Sequence, residues 1–327
     1  MLAYIPYPAW IRPEIVPFLP IRWYGLMYIA AFFATFLLFR YQLKERGLKP
    51  QKDLVLDMFF WAVVGLLAGA RLFAVTIYDP AGYYLHHPLQ ILLPFAVIDG
   101  KIHFTGISGM SYHGGLVGTI VTLVLFMKVK KIDVLDWSDM LAAAIPLGYT
   151  FGRLGNFINA ELYGRVTRMP WGMVFPGAES FPSSERWVAD HAAAAGLPIP
   201  ASGLVNLPRH PSQLYEGFFE GLVLWLILWF LLRKRKPFKG FLLGFYVLGY
   251  GLFRFLIEYT REPDRGIGYP ITLVPLDNPV YRFSPLNFTT GQILCFMMII
   301  AAVFFLLTLR ARSARTVAGK ARPGGPQ

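Results

Sequence analysis

The sequence has little charge and almost no cysteine. Only 15% of its 327 residues are charged, whereas 55% are hydrophobic and 16% are aromatic. With a mean hydropathy of +0.48, this composition excludes an ordinary soluble domain. Cys295 is the single cysteine, which excludes an intramolecular disulfide and a cysteine metal cluster. Its place in an apolar window predicts a buried thiol that serves packing.

Several sequence signatures are missing as well. A Walker loop, an HExxH motif, a Gly-x-Ser-x-Gly motif and a Ser-His-Asp order are all absent, which argues against an ATP-driven machine and a standard hydrolase. We therefore predict neither a metal nor a cofactor. The N-terminus lacks a basic region followed by a cleavage site, so no removable signal peptide is predicted.

Seven windows are apolar and long enough to cross a membrane. They lie at about residues 22–39, 54–75, 112–127, 138–158, 213–232, 241–260 and 288–309. Of the 31 Lys and Arg residues, 18 fall in clusters after the first, third, fifth and seventh windows. Alternating membrane sides place every cluster on one face, which the positive-inside rule makes cytoplasmic. The net charge of +12 therefore indicates membrane orientation rather than nucleic-acid binding.

These patterns predict an all-α polytopic membrane protein with seven transmembrane helices, an external N-terminus and a cytoplasmic C-terminus. Residues 1–310 form a single seven-span catalytic domain in this prediction. Residues 163–210 form a small external arm or head between spans four and five, and residues 76–111 form a second outer segment. The basic residues 311–327 form a cytoplasmic tail that we expect to be unstructured on the inner leaflet.

Glycine pairs and aromatic residues predict local packing. Gly65 and Gly69, and likewise Gly114 and Gly118, are four residues apart on apolar helices, a spacing that lets helix backbones approach closely. In the arm, four large aromatic side chains either pack on each other or lie at the level of the lipid headgroups. They are Trp171, Phe175, Phe181 and Trp187.

The segment 151–165 places polar residues where its surroundings indicate membrane. A charge at the centre of a spanning helix costs roughly 3 kcal/mol or more, so Arg153 is a functional-site candidate that faces protein or a wet cavity. Asn156 follows it at i+3, and Glu161 lies near the outer end of the span. The alternative is a structural ion pair that fixes helix packing.

Other polar residues occur on the remaining spans. In the sixth span, Tyr250, Arg254, Glu258 and Arg261 form one narrow helical stripe. The further candidates are His113 at the start of the third span, Tyr24 and Tyr28 on one face of the first, and Gln213, Glu216 and Glu220 on the fifth.

Depth places the candidates in one layer. Arg153 and Arg254 fall about 15 and 13 residues into their windows, or roughly 20 Å through a core of about 30 Å. His113, Glu216 and Tyr24 also fall in the outer half of the membrane. A single layer near the external leaflet suits a reaction on lipid headgroups better than a pore.

Two arginines at one cavity suit a phosphate or a carboxylate, because guanidinium keeps its charge and offers forked donors. Glu258 and Glu161 are alternative partners that would neutralise them. His113 suits a general base or acid near neutral pH, but an interface histidine bonded to a carbonyl is an equally good interpretation of its spacing.

Five segments, in this order, resemble the bacterial prolipoprotein diacylglyceryl transferases over nearly the whole chain. They are residues 22–28 (RWYGLMY), 111–118 (SYHGGLVG), 152–161 (GRLGNFINAE), 209–216 (RHPSQLYE) and 249–254 (GYGLFR) through Glu258. The chain departs from the family in its longer stretch at 95–107. Ala160 stands where the family frequently has glycine.

The resemblance implies a seven-span enzyme of the bacterial inner membrane with its active site toward the external leaflet. Such an enzyme moves the diacylglyceryl group of phosphatidylglycerol onto the lipobox cysteine in the signal peptide of a prolipoprotein and releases glycerol phosphate. It implies that Arg153 binds phosphatidylglycerol. The resemblance further implies functional roles for His113, Arg254, Glu258, Asn156, Tyr24, Glu161 and Tyr250. We predict that the catalytic residues are His113, Arg153, Arg254 and Glu258, and that Asn156, Tyr24, Glu161, Tyr250 and Glu216 join Arg153 in binding the lipid.

Two other classes compete with this prediction. A lipid or anion transporter would share the arginines and glycines, but it typically shows internal repeats and a polar path to the inner face, and the sequence shows neither. An intramembrane protease needs a nucleophile-base pair or paired aspartates within its spans, and the sequence has no such arrangement.

Overall fold

The computed structural model describes residues 4–16, 22–77, 82, 84, 95–98, 101–104, 110–200, 203–264 and 266–320. Eight helices of ten residues or more occur within these ranges. They are α1 (Trp23–Glu45), α2 (Leu54–Thr76), α3 (Tyr112–Val129), α4 (Val134–Ile158), α5 (Arg186–Ala195), α6 (Ser212–Arg235), α7 (Phe241–Ile257) and α8 (Thr290–Lys320). A 3₁₀ turn at Glu258–Thr260 continues α7.

The described strands are short and pair two by two. Parallel β1 (Ile5–Pro6) and β4 (Met173–Val174) align Ile5 with Met173. The other three pairs are antiparallel: β2 (Phe95–Ile98) with β3 (Lys101–Phe104), β5 (Ser180–Pro182) with β6 (Leu204–Asn206), and β7 (Ile271–Thr272) with β8 (Asn287–Phe288). Apart from β2, β3 and a few single positions, the predicted outer segment 76–111 lies outside the described residues.

Each of the seven predicted windows forms a helix, which confirms the mostly helical class. Among the described helices, six are long and apolar enough to cross a membrane, and α4 is not one of them. The polar residues Asp136, Asp139 and Arg153 interrupt its apolar sequence. The number of spans and their orientation therefore stay predictions.

The expectation of an unstructured tail was wrong for residues 311–320. α8 runs to Lys320, ten residues beyond residue 310, where the seven-span domain was predicted to end. The extension is rich in Ala, Arg and Lys, which have high helix propensity, and the preceding apolar helix supplies the nucleus on which it grows. Residues 321–327 lie outside the described part of the chain.

The chain divides into two compact units, one of residues 1–39 and 138–327 and the other of residues 40–137. Within the second unit the two glycine pairs face each other, as their spacing predicted. A Cβ atom at Gly65 would lie 2.7 Å from the carbonyl oxygen of Gly118, and one at Gly118 would lie 2.8 Å from Cα of Gly69. No larger residue fits there, so α2 and α3 pack backbone to backbone.

In the first unit, the arm has its own hydrophobic core. Val166, Val188 and Leu207 are buried there, and Phe181 packs edge to face on Trp187 at 5.0 Å. Phe175 instead packs on Tyr7, Phe157 and Tyr163. Trp171 remains exposed and donates a 2.7 Å hydrogen bond to the hydroxyl of Tyr215. The predicted aromatic packing is therefore confirmed for the Phe181–Trp187 pair.

A buried carboxylate positions α7. Both oxygens of Asp139, on α4, accept hydrogen bonds from the first turn of α7, at 2.9 Å from the nitrogen of Gly240 and 3.0 Å from that of Leu243. Lys236 lies 3.3 Å from the same side chain. Asp139 thus caps a helix from a different segment of the chain, where the helix dipole favours negative charge.

The helix α6 is wider than a regular α-helix over much of its length, with π-helical turns at Gly217–Val223 and Ile227–Leu232. Its glycines let α4 approach closely. A Cβ atom at Gly221 would lie 3.1 Å from Cα of Thr150, and the Thr150 hydroxyl donates a 3.1 Å hydrogen bond to the carbonyl oxygen of Gly217. This contact fixes Arg153, one turn beyond Thr150, against α6.

Candidate active site

The centre of the candidate site is Glu216, whose side chain is 0% exposed and lies within ion-pair distance of three arginines. Its Oε2 lies 2.8 Å from Nε of Arg153. Its Oε1 lies 3.3 Å from Nη1 of Arg254 and accepts a 3.0 Å hydrogen bond from Nη1 of Arg261. Since the arginines come from α4, α7 and the segment after α7, this one carboxylate draws three parts of the chain together.

The predicted stripe on α7 is confirmed for its charged members. Nη2 of Arg254 lies 2.8 Å from Oε2 of Glu258, and Nε of Arg261 lies 3.5 Å from the same atom. The other Glu258 oxygen accepts a 3.0 Å hydrogen bond from Thr289. A Cβ atom at Gly291 would lie 2.7 Å from that oxygen, so the start of α8 meets the carboxylate directly.

The surroundings of Arg153 confirm the predicted Arg153–Asn156 contact. Nη1 of Arg153 donates to Oδ1 of Asn156 at 3.3 Å, and the amide of Asn156 donates to Glu161 at 2.8 Å. Nε of Arg153 donates to the hydroxyl of Tyr149 at 2.7 Å, and this hydrogen bond was not among the predicted contacts. Tyr149 lies four residues before Arg153 on α4, a spacing that allows the two side chains to meet. A tyrosine on an apolar helix, however, more often packs against neighbouring helices.

The segment that carries Glu161 has an unusual backbone. Ala160 and Leu162 have φ angles of 52° and 57°, a region that disfavours side chains other than glycine. Hydrogen bonds hold the strained segment in place: Gln213 donates to the carbonyl oxygen of Glu161 at 2.6 Å, and Ser212 donates to that of Leu162 at 2.9 Å. Strain of this kind persists where surrounding contacts over-determine the backbone, often at functional sites.

The tyrosine candidates lie at the edges of this network. The hydroxyls of Tyr24 and Tyr28 are 2.9 Å apart, which confirms that they share a face of α1. A Cβ atom at Gly155 would lie 3.2 Å from the Tyr24 ring, so this ring packs against α4. The ring of Tyr250 meets that of Tyr149 edge to face at 5.8 Å.

His113 belongs to the other compact unit. It is an exposed residue in the first turn of α3, and its ring contacts that of Tyr112 at 5.7 Å. The hydroxyl of Ser111 caps this helix by accepting a 3.1 Å hydrogen bond from the nitrogen of Gly114. The role of His113 as a base or an orienting group stays a prediction.

Three arginines and four carboxylates belong to this network. Arg153, Arg254 and Arg261 share two carboxylates, those of Glu216 and Glu258, within 3.5 Å. Glu161 and Glu220 instead accept hydrogen bonds from the neutral side chains of Asn156 and Tyr149. The three arginines thus pair directly with two of the four carboxylates of this network.

The arginine side chains are not fully occupied by these acids. Guanidinium offers five N–H donors, whereas the described residues accept from Arg153 only at Nε and Nη1. The side chains of Arg153 and Arg254 keep 16% and 17% exposure, in contrast to the fully buried Glu216. The arrangement can therefore bind an anionic group at the arginines while Glu216 holds them together.

Known proteins are similar to this chain over nearly its full length. The family model described as prolipoprotein diacylglyceryl transferase matches residues 13–308. A phosphatidylglycerol–prolipoprotein diacylglyceryl transferase of Treponema denticola is 50% identical, covering 94% of this chain and 95% of its own. The protein of the same name from Treponema pallidum is 46% identical over 97% and 99%, and that of Chlorobaculum tepidum is 41% identical over 94% and 92%. The chain therefore belongs to the prolipoprotein diacylglyceryl transferase family and is a transferase.

Proposed function

We propose that this transferase moves the diacylglyceryl group of phosphatidylglycerol to the thiol of the lipobox cysteine in a prolipoprotein signal peptide, the first step of bacterial lipoprotein maturation. The single observation that carries the proposal is the set of three arginines around the buried Glu216. Guanidinium groups keep their positive charge and offer forked donors, which suit the negative charge of a phosphodiester headgroup.

The reaction needs a thiolate and a stabilised leaving group. The substrate sulfur attacks the glyceryl carbon and forms a C–S bond, while the bond from that carbon to the phosphate oxygen breaks. Glycerol phosphate leaves with the electron pair of that bond, and the thiol gives up its proton. The negative charge that grows on the leaving phosphate is stabilised by guanidinium groups already held in place.

In this proposal Arg153 and Arg254 bind the phosphate of the lipid, and Glu258 holds Arg254 through their 2.8 Å ion pair. Asn156 and Glu161 orient Arg153 through the hydrogen-bonded series that joins them. Glu216 serves lipid binding by holding the three arginines together. Tyr24 and Tyr250 line the site for the rest of the headgroup, and His113 assists deprotonation of the thiol or orients the headgroup.

We place the protein in the bacterial inner membrane with seven spans and the arginines toward the external leaflet. The four basic clusters at one end of alternating helices support this orientation. α4 is the one of these seven helices that is not apolar enough to count as a span by composition, and its residues Arg153 and Asp139 contact α6 and α7. A helix whose polar groups are satisfied by protein is tolerated within a bilayer.

The single cysteine allows a direct test of this orientation. In a Cys295→Ala background we expect full turnover, because Cys295 is buried and packs near Gly251. In that background, Ser184→Cys in the arm should react with a membrane-impermeant maleimide on intact spheroplasts. Lys234→Cys should react only after the membrane is opened. The reverse pattern would overturn the proposed orientation.

The activity is tested with purified protein, phosphatidylglycerol and a synthetic lipobox peptide. We expect mass spectrometry to detect the peptide with a diacylglyceryl thioether on its cysteine, together with glycerol phosphate. A peptide with serine in place of the lipobox cysteine is the matched control and should stay unmodified. Absence of the thioether with folded wild-type protein, or modification of the serine peptide, would contradict the proposal.

A further inference from the structure

A second buried glutamate lies one turn beyond Glu216 on α6. Glu220 is 0% exposed, and its Oε2 accepts a 2.5 Å hydrogen bond from the hydroxyl of Tyr149. Its other oxygen, Oε1, is buried without a hydrogen-bond partner among the described residues. A buried carboxyl with one oxygen unsatisfied costs free energy, which calls for a compensating role.

Tyr149 connects this glutamate to the proposed phosphate-binding arginine. Its hydroxyl oxygen accepts the 2.7 Å hydrogen bond from Nε of Arg153. Its ring also lies under the same guanidinium, with Cζ of Arg153 4.9 Å from the ring centroid. The hydroxyl has a single hydrogen, and because that hydrogen is donated to Glu220, a lone pair is left to accept from Arg153. Glu220 therefore sets the direction of the Tyr149 hydroxyl.

The helices that carry Glu220, Tyr149 and Arg153 pack closely against each other. Glu220 lies in the π-helical turn Gly217–Val223, a type of irregularity that is frequent at functional sites. A Cβ atom at Gly217 would lie 3.3 Å from Cβ of Arg153, and Gly221 packs on Thr150. The three side chains are therefore carried by two helices in direct contact.

We infer that Glu220 and Tyr149 are positioning residues that orient the guanidinium of Arg153 for the phosphate. The inference rests on the proposed function and assigns these two side chains a role in that same site. Nε donates to Tyr149 and also lies 2.8 Å from Oε2 of Glu216, so the guanidinium loses rotational freedom and its Nη groups keep one orientation before the lipid arrives. Such preorganisation lowers the cost of ordering the group in the transition state.

Substitutions at the two residues separate a hydrogen-bond role from a charge role. Tyr149→Phe keeps the ring under Arg153 but removes the hydroxyl, and we expect kcat/KM for phosphatidylglycerol to fall about 10-fold or more. Glu220→Ala removes the acceptor and should cause a similar loss. Glu220→Gln keeps an acceptor oxygen and should lose about three-fold or less. Because the residues act in one series, the Tyr149→Phe, Glu220→Ala double variant should be no worse than either single variant.

A double-mutant cycle with Arg153 distinguishes positioning from a merely structural role. Lysine has no Nε donor at this place. In an Arg153→Lys background, Tyr149→Phe should therefore lower kcat/KM for phosphatidylglycerol by less than about two-fold. A structural tyrosine would instead cost the same factor in both backgrounds. Tyr259→Phe is the matched control, since it removes a tyrosine hydroxyl that donates to the carbonyl oxygen of Pro285 rather than accepting from an arginine.

All variants are compared for turnover and for melting temperature in the same detergent. Wild-type kcat/KM in a normally melting Tyr149→Phe variant would overturn the inference, and so would equal losses in Glu220→Gln and Glu220→Ala. Equal losses for Tyr149→Phe in the arginine and lysine backgrounds would also overturn it. In each of these outcomes the wild-type protein still forms the thioether, so only the inference about Glu220 and Tyr149 fails. Failure of the wild-type protein to form the thioether would instead refute the proposed function.

Discussion

The hydroxyl of Thr289 donates a 3.0 Å hydrogen bond to Glu258, the acid that pairs with Arg254. The same Thr289 oxygen accepts from the nitrogen of Gln292 at 3.2 Å, and the Gln292 side chain accepts from the nitrogen of Thr289 at 3.0 Å. These reciprocal bonds form a capping box at the start of α8. The cap of the last helix and the arginine network thus share one side chain.

Thr289→Val should therefore affect both stability and turnover. Loss of an N-cap hydroxyl costs about 0.5–2 kcal/mol of stability, and Glu258 loses the donor that fixes one of its oxygens. We expect a lower melting temperature and slower transfer. Thr289→Ser keeps the hydroxyl and is the matched control, with both values near wild type. If Thr289→Val melts and turns over like the serine variant, the cap does not support the network.

Ala160→Gly should stabilise the protein or leave its stability unchanged. A non-glycine residue in the left-handed region costs roughly 1 kcal/mol, and glycine removes that cost although it gains freedom in the unfolded chain. Leu162→Gly is the comparison at the other residue with a positive φ angle, but this substitution also removes a large side chain. A melting temperature clearly below wild type for Ala160→Gly would contradict the strain interpretation.

His210 provides a pH-dependent prediction. Burial, and then the positive charge of Arg165, lower the pKa of His210 to about 4, and its ring nitrogen Nδ1 lies 3.2 Å from the Tyr215 hydroxyl. Since the unfolded pKa is about 6.5, the unfolded chain binds more protons between these two values. The stability contribution is therefore present above pH of about 6.5 and is lost as pH falls toward 4. His210→Gln should flatten this part of the melting-temperature curve, and an unchanged slope would contradict the assignment.

His113→Gln tests whether this histidine acts as a base. Glutamine keeps size and hydrogen bonding but removes basicity, so a base role predicts a large loss of transfer whose size changes across pH 6 to 8. An orienting role predicts a smaller loss that is independent of pH. Transfer at the wild-type rate across this range would exclude the base role, and orientation would be the role that remains.

Local periodicity explains what the sequence could predict of the site. The Arg153–Asn156 contact and the stripe of Arg254, Glu258 and Arg261 follow from helical spacing along one element. The sharing of Glu216 among three segments does not, because it depends on how helices from distant parts of the sequence pack. Tyr149 was missed for a related reason: its importance comes from Glu220 on another helix, which periodicity along α4 does not reveal.

The final prediction concerns Arg153 and Arg254 as a phosphate clamp. Each charge-assisted hydrogen bond to the departing phosphate is worth roughly 1.5–3 kcal/mol, so loss of one arginine should slow transfer by about 10- to 100-fold or more. Arg153→Lys keeps the charge but loses the forked donors, and we expect it to be badly impaired as well.

A structural ion pair predicts a different pattern. Because Glu258 and Glu216 both contact Arg254, Arg254→Gln alone takes one of the positive partners from each of these buried acids and lowers the melting temperature. The Arg254→Gln, Glu258→Gln double variant removes one of those acids and should recover stability in part. If the arginine only holds the fold together, transfer recovers with the melting temperature; if it binds phosphate, transfer stays low while stability returns. Recovered transfer in the double variant, or normal transfer by Arg153→Lys, would refute the clamp, because neither variant retains both forked donor sets.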